Sequence, residues 1–201
     1  MSFFDHLKEA VPSFFTRWKE SLAEFKHLQT VVFCGLMAAL AVVLGYVASI
    51  EIGQYIRVGF SGLPNQVVSY LFGPAIGSIF GGVLDVLKWA IKPTGPYFPG
   101  FTLSAFLAGL IYGGFFYKRP VSVWRIFAAH ALVTVIVNIG LNTYWLVLLY
   151  NRVASVILPM RILKNAIMLP IDTFITYVIL KAVDRVIVPQ LRHLRMQRSK
   201  G

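Results

Sequence analysis

Apolar residues fill the chain in long runs, and polar residues collect in the short stretches between them. Six runs read as membrane spans: about Val31 to Ile50, Val58 to Leu71, Pro74 to Ile91, Phe101 to Tyr117, Val123 to Leu149 and Pro159 to Val188. The first is twenty residues without a charge, which suits a hydrocarbon layer better than a soluble core. It follows a charged, aromatic stretch, so it reads as a span and not as a secretory signal. The second is short. At about 1.5 Å per residue it does not cover a layer about 30 Å thick, so it is expected to be tilted, partial or completed by its neighbours. The sixth is long enough to project beyond the membrane. Ahead of them all, Phe4, Leu7, Val11, Phe14, Trp18, Leu22 and Phe25 recur every three or four residues, with Lys8, Lys19, Glu20 and Lys26 elsewhere on the circumference. That period is an amphipathic helix, lying in the membrane interface or docking a partner, and Pro12 kinks it or starts its second half.

The pattern therefore predicts an all-α integral membrane protein with six transmembrane helices and an N-terminal amphipathic interfacial helix. Its expected divisions are residues 1–27, a membrane domain over 28–190 and a basic tail over 191–201. Composition agrees: 57% of the 201 residues are hydrophobic and 13% charged, where a soluble domain carries roughly 25% charged residues.

Net charge is +11, with nineteen Lys and Arg. Their positions argue against nucleic acid. Lys8, Arg17, Lys19 and Lys26 precede the first span, Lys118, Arg119 and Arg125 share one connection, and Lys181 and Arg185 lead a basic C-terminal stretch. This is the positive-inside distribution, and with six spans it puts both termini in the cytoplasm of a cell-membrane protein. Arg57, Lys88, Lys92, Arg152, Arg161 and Lys164 then fall on the outer side. Cys34 is the single cysteine, which excludes an internal disulfide and any cysteine-based metal site.

Small residues mark packing faces. Gly73, Gly77 and Gly81 in the third span, and Ala105, Gly109 and Gly113 in the fourth, are each four apart, as helices that approach closely in lipid require. Packing within the chain is the expected use of these two. In the first span Gly35, Ala38, Ala39 and Ala41 cluster toward the cytoplasmic half, where a helix of another protein fits.

The chemistry concentrates on the outer side. "KPTGPYFPGFT" (Lys92 to Thr102) packs three prolines, two glycines and three aromatics between two spans. Asp85, Lys88 and Lys92 share a helix face, with Asp85–Lys88 pairing as the plain alternative to a ligand role. Asn138, Asn142 and Trp145 form a stripe in the fifth span. Amides present donor and acceptor to a planar heterocycle and indole stacks on it; interhelical hydrogen bonding by the two asparagines is the plain alternative, and the stripe's place on the outer half, level with Lys92, favours the ligand. Arg161 and Asn165 open the sixth span and Arg57 the second; arginine suits a carboxylate. Together with Tyr97 and Phe98 these groups describe a pocket for an anionic aromatic molecule, and Phe60 belongs to the candidate set.

Enzyme readings fare poorly. Gly59-Phe60-Ser61-Gly62 matches the serine motif of rhomboid proteases, with His130 as its base, but Ser61 opens its span on the outer side while His130 closely follows Arg125 near the cytoplasmic end. A serine needs its histidine within hydrogen-bond reach. Neither a GxxxxGK[ST] loop nor an HExxH motif occurs.

The ordered set "RVGFSGLP", "FGPAIGSIFGGVLD", "KPTGPYFPGFTLSAFLAGLIYG", "LNTYWL" and "LPMRILKNAIMLPI" resembles the substrate-binding S-components of energy-coupling factor (ECF) vitamin transporters, the folate (FolT-type) family in particular. The resemblance implies a vitamin-capturing subunit with no catalysis, cofactor or metal of its own. Its partners would be a transmembrane T-component and two cytoplasmic ATPases, and it would topple in the membrane to release substrate. Tyr97, Phe98 and Trp145 would enclose a pterin, Asn138, Asn142 and Asn165 would pair with its edge, and Arg57, Lys92 and Arg161 would attract the carboxylates. The loop of about Glu51 to Arg57 would be a lid. The family's AxxxA surface for the T-component corresponds to Gly35, Ala38, Ala39 and Val42 here. Related S-components take riboflavin or pantothenate, so another vitamin is the alternative ligand.

Overall fold

The amphipathic period before the first span is realised as helix α1 (Phe14–Ala23), followed by a 3-10 turn (Glu24–Lys26) and helix α2 (Leu28–Val47). The computed structural model describes residues 14–47, 49–52, 56–93, 95–150 and 154–198. The earlier apolar positions Phe4, Leu7 and Val11 lie outside them.

Strands replace the expected start of the second span. β1 (Ser49–Ile52) and β2 (Ile56–Gly59) pair antiparallel, Ser49 opposite Gly59 and Ile52 opposite Ile56. Val58 therefore belongs to a strand, and helix begins only with α3 (Leu63–Phe72). The reason is written in the local pattern: Ile50, Ile52, Ile56 and Val58 alternate with Glu51 and Arg57 at period two, and β-branched side chains favour the pleated backbone. Pro64 then stands in the first turn of α3, where its missing N–H costs nothing.

Ten residues of α3 rise about 15 Å, half the hydrocarbon thickness. Five other helical stretches are long and apolar enough to cross a membrane: Leu28–Val47, Pro74–Ile91, Pro99–Phe116, Val123–Leu149 and Leu158–Gln190. α3 is instead a buried rod among them. Val67 and Tyr70 pack in one apolar cluster with Tyr112, Phe116, Ile126 and Leu180. Val68 and Phe72 pack in another with Ala41, Ile76 and Phe80.

α4 (Pro74–Ile91) and α5 (Pro99–Phe116) are antiparallel and meet through their small residues. A Cβ added at Gly109 would run into the Gly77 carbonyl, one at Gly113 into Pro74, and one at Gly81 into the Ala105 carbonyl. Backbones this close exclude any side chain, which is why both helices repeat small residues every fourth position. Between α3 and α4, Gly73 turns the chain at φ +91°, a conformation that side chains resist.

The fifth span is not one regular helix. α6 (Val123–Val133) passes into a π-helical stretch, Thr134–Leu141, and then into α7 (Asn142–Tyr150). The last helix, α8 (Ala154–Arg198), has 45 residues with Pro159, Pro170 and Pro189 inside it. It runs about 67 Å at 1.5 Å per residue, and residues 191–198 of the expected basic tail are its final turns.

Buried polar groups between α3, α5, α6 and α8 form a relay. Thr176 donates to Gln66 Oε1 at 2.6 Å, so its oxygen accepts from His130 Nε2 at 3.1 Å. His130 Nδ1 is then the acceptor for the Tyr112 hydroxyl at 3.3 Å. One neutral tautomer satisfies every member, as an interior without water demands.

Candidate ligand-binding site

The candidate site lies where α4 stops and α5 starts. α4 ends at Lys92, and the proline-rich connection is pinned back onto it by Trp89, whose indole donates to the Gly95 carbonyl at 2.9 Å. Tyr97 packs on the Trp89 ring, centroids 5.1 Å apart, and its hydroxyl lies 3.0 Å from Thr102 Oγ1. Thr102 in turn donates to Asp85 Oδ2 at 2.8 Å. Tyr97 is thereby committed to the α4 side.

Phe98 has extended backbone (φ −134°, ψ 118°), so its side chain leaves on the opposite side from its neighbour's. Its ring lies 5.5 Å from Trp145 and 6.0 Å from Phe101. Trp145 in α7 donates to Ser104 Oγ in α5 at 3.1 Å, and Tyr144 packs on its other edge at 5.0 Å. Gly100 lies beneath the pair: a Cβ there would strike both Phe98 and Trp145. Three elements thus converge on one aromatic wall. The expected enclosure of Tyr97, Phe98 and Trp145 divides in two, Phe98 with Trp145 and Tyr97 with Trp89.

The asparagine stripe is bent by the π-helix. Asn138 stands inside it, half-buried, and Asn142 is the first residue after it. The regular i, i+4 alignment assumes 3.6 residues per turn, which a wider turn does not keep. Asn142 Oδ1 and Thr143 Oγ1, one residue apart, are buried with no hydrogen-bond partner, and so is Asn65 Oδ1 in the first turn of α3. A buried acceptor without a donor costs about 1–3 kcal/mol. Such a cost is met in a folded protein by an ordered water or by a ligand that supplies the missing partner; Arg17 Nε in α1 is buried in the same way.

Of the cationic groups, Lys88 and Lys92 stand in the last turn and at the end of α4. Lys88 donates to the Ser61 carbonyl at 2.9 Å and to Ser61 Oγ at 3.1 Å, tying α4 to the turn before α3. Asp85, its expected mate, accepts from Thr102. The Lys92 ammonium sits 5.5 Å over the Tyr46 ring, and Tyr46 donates to the Ile91 carbonyl at 3.2 Å. Phe60 is half-buried in the turn after β2. Arg57 pairs with Glu51 through backbone in the hairpin; its side chain lies outside the described set. Arg161 is half-buried in α8, and Asn165 Nδ2 donates to the Arg161 carbonyl at 2.9 Å, which occupies one of its amide hydrogens. An aromatic face, buried amide and hydroxyl acceptors and a lysine ammonium are the kinds of group that hold a flat heterocycle with an anionic tail.

Residues 29–180 match the family described as "ECF transporter, substrate-specific component". The chain belongs to this family. Over 160 residues, 80% of its length and 92% of the relative's, it is 41% identical to a folate transporter FolT of Clostridium novyi. A second folate transporter FolT, from Leuconostoc mesenteroides, is 33% identical over 78% of this chain and 88% of its own. Among solved structures, FolT bound with folic acid superposes with a TM-score of 0.71 at 34% identity, covering 76% of this chain and 93% of that one. S-components are transporter subunits, so this chain is no enzyme and is a multi-pass cell-membrane protein.

The S-component's other candidate surface is on α2, which carries small residues on two sides. Ala41 and Gly45 are buried against the bundle. Gly35 and Ala39 are exposed, Ala38 and Val42 half-buried, and a Cβ on Gly35 would meet nothing within 4 Å. The inward pair is used by the fold, so Ala41 does not belong with Gly35 and Ala39. The protease alternative also dissolves in this S-component, because Ser61 bonds Lys88 while His130 bonds Tyr112 and Thr176. Sequence reasoning missed Trp89, Ser104 and Thr102. Each is a residue with one polar group at a helix end rich in apolar residues, and only a partner distant in sequence or across a loop gives it a task.

Proposed function

We propose that this S-component binds folate on the extracellular side of the cell membrane and delivers it inward as the substrate-binding subunit of an ECF importer. The observation that carries the ligand is the folic-acid-bound relative, similar over 76% of this chain. The aromatic pair Phe98–Trp145 supports it, since a pterin stacks on such a wall. In this reading Asn138, Asn142 and Asn165 address the heterocycle edge, Arg57, Lys92 and Arg161 the glutamate carboxylates, and Phe60 and Tyr97 close the rim. The hairpin around Glu51 and Arg57 acts as the lid.

The same reading puts both termini in the cytoplasm, with α3 and the hairpin together standing for the short second crossing. The surface of Gly35, Ala38, Ala39 and Val42 meets the T-component, whose two ATPases power toppling. Purified protein is expected to bind folic acid tightly without nucleotide, followed by quenching of tryptophan fluorescence. Mass spectrometry of what copurifies would identify the vitamin directly. Saturable binding of riboflavin or pantothenate with none of folate would overturn the assignment.

A further inference from the structure

An amphipathic helix resting on a protein body ordinarily turns its apolar side inward. α1 does the reverse. Arg17 and Ser21, one turn apart, are 6% and 0% exposed. Ser21 Oγ accepts the N–H groups of Ala75 and Ile76, each at 3.1 Å, and donates to the Phe72 carbonyl at 2.6 Å. Arg17 donates to the Gly114 carbonyl at 2.9 Å, and Lys118 pairs with Glu20 at 2.8 Å. The backbone partners belong to the first turn of α4 and the last turns of α3 and α5. Helix ends leave such groups without an internal partner, and α1 supplies side chains to them from another part of the chain.

With its polar side so used, α1 leaves large apolar side chains outside. Phe15 is 77% exposed and Leu22, two turns on along the same face, 42%. Phe25 and Leu28 continue the strip, and Val31, Val32 and Leu36 carry it along the exposed side of α2. α2 is long and apolar enough to cross the membrane, so in the subunit by itself this exposed side, which also carries Gly35 and Ala39, faces lipid. The strip on α1 is therefore continuous with an acyl-chain surface. Lys19 and Lys26 stand exposed alongside, where headgroup phosphates lie.

We infer that α1 lies in the bilayer interface at the N-terminal end of α2, its Phe15–Leu22 edge in lipid and its Arg17–Ser21 edge clasping the bundle. The occupant of the apolar edge is the membrane surface and not another protein. Interfacial helices bury their apolar edge about 5–10 Å deep. The clasp thus fixes the depth and tilt of the α3–α4 turn relative to the bilayer. α1 precedes the family match, which begins at residue 29. It does not depend on which vitamin is bound or which leaflet is involved.

The test uses the full-length protein in liposomes of zwitterionic and anionic phospholipid, with Cys34→Ala and single spin labels at Phe15→Cys, Leu22→Cys or Ala23→Cys, the last exposed and about a quarter-turn away from the other two. Collision with dissolved oxygen and with a water-soluble nickel chelate reports depth. The expected result is an oxygen-to-nickel ratio several-fold higher at positions 15 and 22 than at 23. Equal nickel access at all three would mean a water-exposed face open to a protein partner, and shielding from both reagents would mean cover by protein. Either overturns the inference. Because these positions are exposed, the substitutions leave the core untouched, and folate binding is read separately on the same samples.

Discussion

The Trp145 indole donates to the buried Ser104 hydroxyl across 3.1 Å, joining α7 to α5 directly behind the ring of Phe98. Ser104 is 2% exposed, so this bond holds the indole in one orientation. Orientation is what stacking on a flat ligand requires, because offset and edge geometries differ in energy.

Ser104→Ala is expected to loosen Trp145 without removing it. Interhelical hydrogen bonds in membranes contribute about 0.6–1.7 kcal/mol, roughly a three- to twenty-fold change in affinity. Folic acid titration of the purified variant would measure it, and Trp145→Ala should lose more. Unchanged affinity in both would remove this wall from the site.

Asn142→Leu separates ligand recognition from folding. The Asn142 Oδ1 acceptor is buried without a donor, so an apolar replacement removes a cost of about 1–3 kcal/mol from the unliganded protein. The unliganded melting temperature should hold or rise while folate affinity falls at least about ten-fold, the loss of one good hydrogen bond. A parallel fall in both would mark Asn142 as structural.

Gly109→Ala and Gly35→Ala test the two kinds of small-residue face. The first drives a methyl into the Gly77 backbone and the second into open space. Gly109→Ala should cost about 1–3 kcal/mol through overpacking, visible as a lower melting temperature, whereas Gly35→Ala should change nothing. Gly35→Leu is expected to keep folate binding while losing copurification with the T-component.

Ser21→Ala should strip the cap from α4. Two N–H groups and one carbonyl lose their partner at once. A single cap contributes about 0.5–2 kcal/mol, so the thermal midpoint should fall measurably, and Ser21→Thr should restore part of it. No shift in Ser21→Ala would mean that water replaces the hydroxyl.

The membrane class, the five long helices and the helix-pairing faces were legible in the chain, because they depend on run length and on residues four apart. Both are local properties. The hairpin was not read, although Ile50 to Val58 alternate at period two: a twenty-residue apolar run followed by another concealed a short strand pair between them. The π-helical turn escaped because nothing in the apolar period of Thr134–Leu141 departs from an ordinary helix; the stretch packs on α5 and α8.

For the site, the residue types were readable and the pairings were not. KPTGPYFPGFT announced a stiff aromatic connection, yet nothing in its order says that Tyr97 turns to Trp89 and Phe98 to Trp145. Those choices follow from where α4 and α7 stand, and residues such as Ser104 acquire their role only from a partner 41 positions away. The sequence by itself determined the solvent, the helices and the family. Tertiary structure alone decided which side chains meet, and that α1 turns its polar edge inward. Hydrophobic period says which side of a helix is apolar; only the unsatisfied ends of neighbouring helices decide which side the bundle takes.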